Sequence, residues 1–276
     1  MNKIKLTIAI MAMMIAAVFG GYKVEAQKAV VVYYSQTSNT KIVAEEIASR
    51  LGAEMEEIIP VEPYDGDFQS TIERCMQERE QNIQPKINPM NINIKDYDIV
   101  FIGYPVWFGT FAPPISAFLD QVDLKGKKVV PFCTFGSGGL ESSIKKLEEK
   151  NTGAEILPGY GVRAARIKSM PEEVDQFLKA NGFIKGDFIT LENFSEQHPV
   201  SEEESAIFDA AVGDYPMINA RAKTVAMRDI PGGIEYLFIA EDLPREDVQS
   251  RPNAGGMKVY VIVKDGEEPV FTKVIR

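Results

Sequence analysis

The chain has 276 residues, 45% hydrophobic and 25% charged, a composition typical of globular proteins that leaves room for one large domain or two smaller ones. Its formal net charge of −10 argues against nucleic acid or an anionic membrane surface as a partner. Only two cysteines, Cys75 and Cys133, are present, which is too few for a disulfide framework in a chain of this size.

Residues 1–26 have the features of a secretory signal peptide. Lys3 and Lys5 precede a nearly continuous apolar run over residues 6–20, and residues 24–26 (VEA) offer a cleavage site. The rival interpretation is a permanent membrane anchor, but the run falls short of the roughly 18 residues that a spanning helix usually needs. We therefore predict an exported protein, periplasmic or secreted, with no stable membrane anchor after signal cleavage.

Strand and helix patterns then alternate along the first domain, residues 27–188. The predicted strands cover 28–34, 53–59, 97–104, 128–133 and 154–162, and the helices that follow them cover 40–51, 68–82, 112–122, 140–150 and 171–181. Continuous apolar strands that alternate with helices predict a parallel sheet covered on both faces. The expected fold class is therefore α/β, with a doubly wound five-stranded parallel sheet, and its ligand site is expected where the strands end.

The pattern changes after residue 188. Residues 189–200 are predicted to be a linker, and the lone His198 within it is expected to be solvated, without a metal or catalytic role. One helix over residues 201–212 is followed by strand patterns at 222–228, 235–240, 258–263 and 270–275. We therefore predict a small α+β domain, residues 201–276, with one helix and about four antiparallel strands.

The first loop at the predicted sheet edge, SQTSNT, joins the buried strand AVVVYY to a helix. Its six successive residues all carry polar side chains: Ser35, Gln36, Thr37, Ser38, Asn39 and Thr40. Free backbone N–H groups, the helix dipole and hydroxyl groups together suit a phosphate at this position. The alternative is an ordinary helix cap, which needs only one such residue. The loop contains no glycine, so it is neither a P-loop nor a dinucleotide fingerprint.

Aromatic residues and glycines mark the second and third loops. GYPVWFGTFAPP contains the chain's only tryptophan, Trp107, beside Phe108, and aromatic rings at a loop mouth are expected to cover a flat ligand. The alternative is that Trp107 packs on the protein's own core. In CTFGSGGLESS, Gly136, Gly138 and Gly139 allow close approach of the backbone, although a plain strand-to-helix turn would also use glycine.

Taken together, Y-S-x-T-x-N-T, G-x-P-x-W-x-G and T-F-x-S-G-G resemble the motifs of the flavodoxin-like family, whose cofactor is FMN, over about residues 28–185. The resemblance implies that Ser35, Gln36, Thr37, Ser38, Asn39 and Thr40 hold the FMN phosphate. It implies that the isoalloxazine ring lies between two further sets, Pro105, Val106, Trp107, Phe108 and Gly109 on one side and Thr134, Phe135, Gly136, Gly138 and Gly139 on the other. Trp107 would then stack on the ring, and backbone near Gly109 would contact the flavin N5.

Two departures from the family pattern bear on cofactor binding. Ser38 stands where the family usually has glycine, and a positive φ there would cost serine roughly 1 kcal/mol. Replacing Ser38 by glycine is therefore expected to tighten FMN binding. The third loop lacks the tyrosine that many short flavodoxins stack on the ring, so either Phe135 takes that role or that face stays open to a substrate.

The resemblance implies an FMN-binding protein in electron transfer or oxidoreduction, with an unknown redox partner protein or small acceptor. An acidic surface favours an electron carrier, whereas an open ring face and a second domain favour an NAD(P)H-dependent quinone-type reductase. A different class of function is an exported, non-enzymatic binding module on a degenerate flavodoxin scaffold. The C-terminal segment faintly resembles cystatin-like domains, but it lacks their Q-x-V-x-G turn and reads AMRDIPGG instead, so protease inhibition is not inferred.

Overall fold

A computed structural model describes residues 27–64, 67–81, 83–150, 152–213, 215–243 and 256–276. The predicted signal peptide, residues 1–26, lies outside these ranges. Among the helices of the described ranges, none has the length and apolar character needed to cross a membrane.

The first sheet is built on parallel strands in the order β2-β1-β3-β5, with β6 and β7 both paired to β5. The strands are β1 (Ala29–Tyr33), β2 (Glu54–Glu57), β3 (Ile99–Trp107), β4 (Thr110–Phe111), β5 (Lys128–Phe135), β6 (Glu155–Ile156) and β7 (Tyr160–Arg163). The predicted fifth strand is thus split in two at Pro158 and Gly159, while β4 is a short antiparallel partner of β3. The doubly wound parallel sheet predicted from the sequence is confirmed.

Helices cover both faces of this sheet because alternate residues of each strand point to opposite sides. The helices are α1 (Asn39–Leu51), α2 (Phe68–Glu80), α3 (Pro113–Leu119), α4 (Leu140–Glu149) and α5 (Met170–Ala180), with short 3-10 helices at Ile94–Asp96 and Ala164–Ser169. Val31 packs in one core with residues of α1 and α5. Val30 packs in the other core with residues of α2, α3 and α4.

Both cysteines are buried, and neither forms a disulfide. Cys75 lies on α2 and Cys133 on β5. Burial raises the pKa of Cys133, and the negative charge of Glu141 adds to the effect. The Cys133 thiol therefore stays protonated and acts as a small core side chain, as its position in the apolar run VVPFC predicts.

The described C-terminal residues form a second sheet with one helix, which confirms the predicted α+β class. The elements are β8 (His198–Pro199), α6 (Glu202–Val212), β9 (Ala220–Ile230), β10 (Gly233–Asp242), β11 (Met257–Lys264) and β12 (Val270–Ile275), with the strands in the order β12-β11-β10-β9-β8. Ser201 and Glu204 form a reciprocal capping box at the start of α6. Phe208 of α6 packs edge-on against Phe238 of β10, with ring centroids 5.2 Å apart, at the centre of this core.

The stretch predicted to be a linker takes part in this second sheet. His198 and Pro199 pair antiparallel with β9 and extend the sheet by one short edge strand. The Nε2 atom of His198 lies 2.8 Å from Oε1 of Glu204, so the imidazole is tied to α6 and is only partly exposed to solvent.

Candidate functional site

The register of the parallel sheet brings the three polar loops to one edge. Tyr33 is paired with Gly103, and Gly103 is paired with Phe132, so β1, β3 and β5 end side by side. The loop after β1, the hairpin that ends β3 and the loop after β5 therefore form one continuous surface. In an open α/β sheet, this carboxyl edge is where ligands bind.

The first loop presents the start of α1 to this surface. Ser38 is the residue before the helix, and within the described chain its side chain makes no capping bond to the helix. The first backbone N–H groups of α1 have no partner inside the helix, and the helix dipole makes this end positive. The loop thus has the donors that an anion requires.

The hydroxyl of Ser35 is the second feature of this loop. Its Oγ atom is buried and has no hydrogen-bond partner among the described residues. A buried polar atom without a partner is uncommon and costs roughly 1–3 kcal/mol. A ligand with acceptor oxygens above this loop would satisfy it.

Most side chains of the first loop form hydrogen bonds within the protein. The Gln36 amide donates to the Tyr64 carbonyl at 2.9 Å and to Oγ1 of Thr71 at 3.0 Å. The hydroxyls of Thr40 and Thr134 are 2.8 Å apart, which links the first loop to the third. These side chains therefore shape the loop, while the exposed Thr37 hydroxyl accepts only a long hydrogen bond, 3.4 Å, from the Asn39 amide.

The second loop is a tight hairpin. Val106 pairs with Phe111 and Trp107 with Thr110, which leaves Phe108 and Gly109 as a two-residue turn. Both turn residues have positive φ, 51° and 76°, the arrangement of a type I′ turn. Glycine suits that conformation, whereas phenylalanine is strained in it.

Backbone strain coincides with this surface. Of all non-glycine residues that the structure describes, only Ser38 and Phe108 have positive φ, at 66° and 51°. One lies in the first loop and the other in the hairpin turn. Strained residues of this kind are concentrated at binding and catalytic sites, so their location supports a functional role for this edge.

Trp107 is held by two tyrosines that the sequence did not single out. Its ring is edge-on to Tyr34 at 5.8 Å and to Tyr64 at 5.3 Å between ring centroids. Burial raises the pKa of both tyrosines, so they stay neutral. Trp107 is half-buried, and this support fixes the orientation of its ring. The position of Tyr34 directly before SQTSNT could have indicated its place at the site. No local pattern indicated that Tyr64 contacts Trp107.

The glycines of the third loop each lie close to a neighbouring segment of the protein. Gly139 has a φ of 119°, and a Cβ atom there would lie 2.5 Å from Val106 of the hairpin. Phe135 is only 5% exposed and packs in the core, so it has little ring surface to stack on a flavin. A cavity of about 290 Å³ lies between Gly109 and the loop, and residues 274–276 of the second domain form its far side.

Replacing Ser38 by glycine is expected to raise the free energy of unfolding of the unliganded protein by about 0.5–1 kcal/mol. Glycine removes the strain of a positive φ, and the greater entropy of glycine in the unfolded chain offsets part of the gain. Because Ser38 has a φ of 66° in the folded protein, relief of this strain is expected to stabilise the fold. Urea unfolding measures the effect, with Thr37→Gly as the control. If both variants are destabilised, position 38 does not need a positive φ.

The comparisons with known proteins concern the first domain. The family model named flavodoxin matches residues 28–176, more than half of the chain. A flavoprotein structure from Bacteroides eggerthii is 28% identical with a TM-score of 0.51 and covers 58% of this chain and 100% of its own. A flavoprotein from Lactobacillus acidophilus in complex with FMN is 27% identical with a TM-score of 0.47 and covers 54% of this chain and 99% of its own. No curated protein matches.

Proposed function

The chain belongs to the flavodoxin family, and from this we propose that it binds FMN at the carboxyl edge of its first sheet and serves in electron transfer. The observation that carries the proposal is the buried hydroxyl of Ser35, which lacks a partner among the described residues and lies in the loop that leads into α1. A phosphate monoester supplies the acceptors that this hydroxyl and the free backbone N–H groups of the helix lack.

The residues present fit the cofactor in two parts. Ser35, Thr37 and the first backbone N–H groups of α1 would hold the phosphate. The hairpin with Trp107 and the turn at Gly109 would hold the ring system, next to the cavity bounded by the glycine loop. FMN, when bound, supplies the redox chemistry, while the protein binds it, orients it and limits access of water.

An electron carrier is the function that the site supports best. The second domain closes one side of the cavity with residues 274–276, which restricts the room for a nicotinamide to stack on the ring. Phe135 is buried, so it does not mark an open face for a second substrate. The formal charge of −10 suits docking to a basic redox partner.

Two measurements on the FMN-reconstituted protein separate this proposal from its alternatives. A carrier is expected to take up electrons in two separate one-electron steps in a potentiometric titration and to show no sustained NAD(P)H oxidation with a quinone. Rapid steady-state oxidation of NAD(P)H would favour the quinone-type reductase instead. Failure to bind any FMN would favour a non-enzymatic binding module on the same scaffold.

Export is part of the proposal and has its support in residues 1–26. The basic start, the apolar run and the VEA site have the order of a signal peptide. N-terminal sequencing of the protein recovered from producing cells is expected to begin at Gln27, outside the cytoplasm. A full-length cytoplasmic chain would contradict it.

A further inference from the structure

The edge strand of the second domain lies directly on the third loop. The Val274 N–H of β12 donates to the Ser137 carbonyl at 2.6 Å. A Cβ atom on Gly138 would lie 2.1 Å from the Val274 carbonyl oxygen, so only glycine fits between the loop and the strand. The open edge of β12 is therefore covered by a loop whose other neighbour is the hairpin of Trp107.

Arg163, the last residue of β7, contacts both the glycine loop and β12. It is 7% exposed, and its Nε donates to the Gly136 carbonyl at 2.8 Å while Nη1 donates to the Phe271 carbonyl at 2.7 Å. Its guanidinium carbon lies 3.3 Å from the centroid of the Phe271 ring. One side chain thus bonds the glycine loop and the second domain at once.

The charge of Arg163 is held without a carboxylate. Across the described ranges, no ion pair involves this residue, and Arg166 adds a like charge in its surroundings. Burial lowers the pKa of Arg163 to about 10, so the side chain remains charged at neutral pH. A buried cation is tolerated only where hydrogen bonds satisfy it, so the two carbonyl contacts are strongly held.

We propose that the second domain completes the flavin site. Val274 of that domain, together with the contact between Phe271 and Arg163 of the first domain, fixes the glycine loop in the conformation that accepts the ring, so that FMN binding and domain docking stabilise each other. The proposal rests on the proposed function. A loop with three glycines loses much conformational freedom when it is ordered, and a loop that is already ordered binds more tightly. The coupling is reciprocal, because an interface that strengthens ligand binding is strengthened by the ligand to the same extent.

The contact between the hydroxyls of Thr40 and Thr134 extends this coupling to the first loop. Displacement of the glycine loop would therefore shift the start of α1 as well as the hairpin. By contrast, the Lys273–Glu141 ion pair spans the same two domains at the surface, with side chains 34% and 47% exposed. Surface pairs of this kind contribute little, so Lys273 provides a control.

The test uses the full chain with Arg163→Met and with Lys273→Met as its matched control. We expect Arg163→Met to weaken FMN binding by about 10- to 100-fold in a flavin fluorescence titration, the range of typical couplings between sites. Riboflavin binding should weaken by a similar factor, because the loop contacts the ring and not the phosphate. Lys273→Met should stay within about twofold of the wild type, as expected for an exposed pair.

A second readout separates coupling from a merely structural role. In the wild type, FMN should slow hydrogen exchange at the Val274 amide, and Arg163→Met should abolish that protection. If Arg163→Met does not fold, Gly138→Ala replaces it, because a methyl group there displaces the Val274 backbone. Lys273→Met remains its control, because it changes only an exposed pair between the same two domains.

The possible results distinguish the proposed coupling from the proposed FMN binding on which it rests. A wild type that binds no FMN would overturn the proposed function. If the wild type and Arg163→Met bind FMN with equal affinity although the Val274 amide exchanges faster in the variant, only the coupling is overturned. Weaker FMN binding together with lost protection at Val274 supports it.

Discussion

Replacing Ser35 by alanine is expected to weaken FMN binding by about 10- to 100-fold. The Ser35 hydroxyl is buried, and among the described residues nothing bonds to it, so a phosphate oxygen would be its partner. A hydrogen bond to a charged group contributes about 1.5–3 kcal/mol, and each 1.4 kcal/mol is a tenfold change in affinity. Because the unliganded protein loses only an unsatisfied hydroxyl, its free energy of unfolding should stay the same or rise slightly.

Riboflavin lacks the phosphate, so its binding shows whether the effect of Ser35→Ala is confined to the phosphate contacts. Ser35→Ala should weaken FMN binding but leave riboflavin affinity within about twofold, since the ring contacts are unchanged. Ser49→Ala is the matched control, because Ser49 is an exposed serine in the last turn of α1, at the end of the helix away from the phosphate loop. Equal FMN affinity for Ser35→Ala and the wild type would show that the phosphate does not lie against Ser35.

Replacing Gly103 by alanine is expected to lower the free energy of unfolding by about 3 kcal/mol. Gly103 lies in the middle strand of the first sheet, and a Cβ atom there would lie 2.1 Å from Cζ of Phe132. Phe132 is fully buried, so its ring can yield only by disturbing the core. Overpacking of this kind costs typically 1–3 kcal/mol and sometimes more. Urea or thermal unfolding measures the loss.

The double variant Gly103→Ala/Phe132→Leu tests the cause. Leucine at position 132 alone should cost about 1–2 kcal/mol, because it leaves a small cavity. If the clash explains the effect, the double variant should be more stable than the sum of the two losses predicts, by at least about 1 kcal/mol. Additive losses would mean that Gly103 is required for another reason.

The fold could be predicted because its signals are local. The run AVVVYY places Val30 and Val31 on opposite faces of a strand, and both are fully buried in different cores. The helices were indicated by apolar spacing and by turn residues at their ends. β8 was missed because two residues carry no pattern of their own, and only pairing with β9 makes them a strand.

The candidate site could be predicted in position but not in detail. The sequence placed polar and aromatic residues where strands end, and the sheet register brings them together. It did not indicate that Tyr64 supports Trp107, or that Val274 explains Gly138, because these contacts join residues far apart in the chain. The glycines assigned to ring contact therefore also serve the docking of the second domain.

The central claim is that the first loop, together with the start of α1, binds the phosphate of FMN. An equilibrium titration of the purified, unliganded full chain with FMN and with riboflavin tests it most directly. We expect one FMN per chain with a Kd in the micromolar range or tighter, and riboflavin binding weaker by about tenfold or more, since the phosphate contacts are lost. Equal affinity for the two flavins, or no binding of FMN at about 1 mM, would contradict the claim.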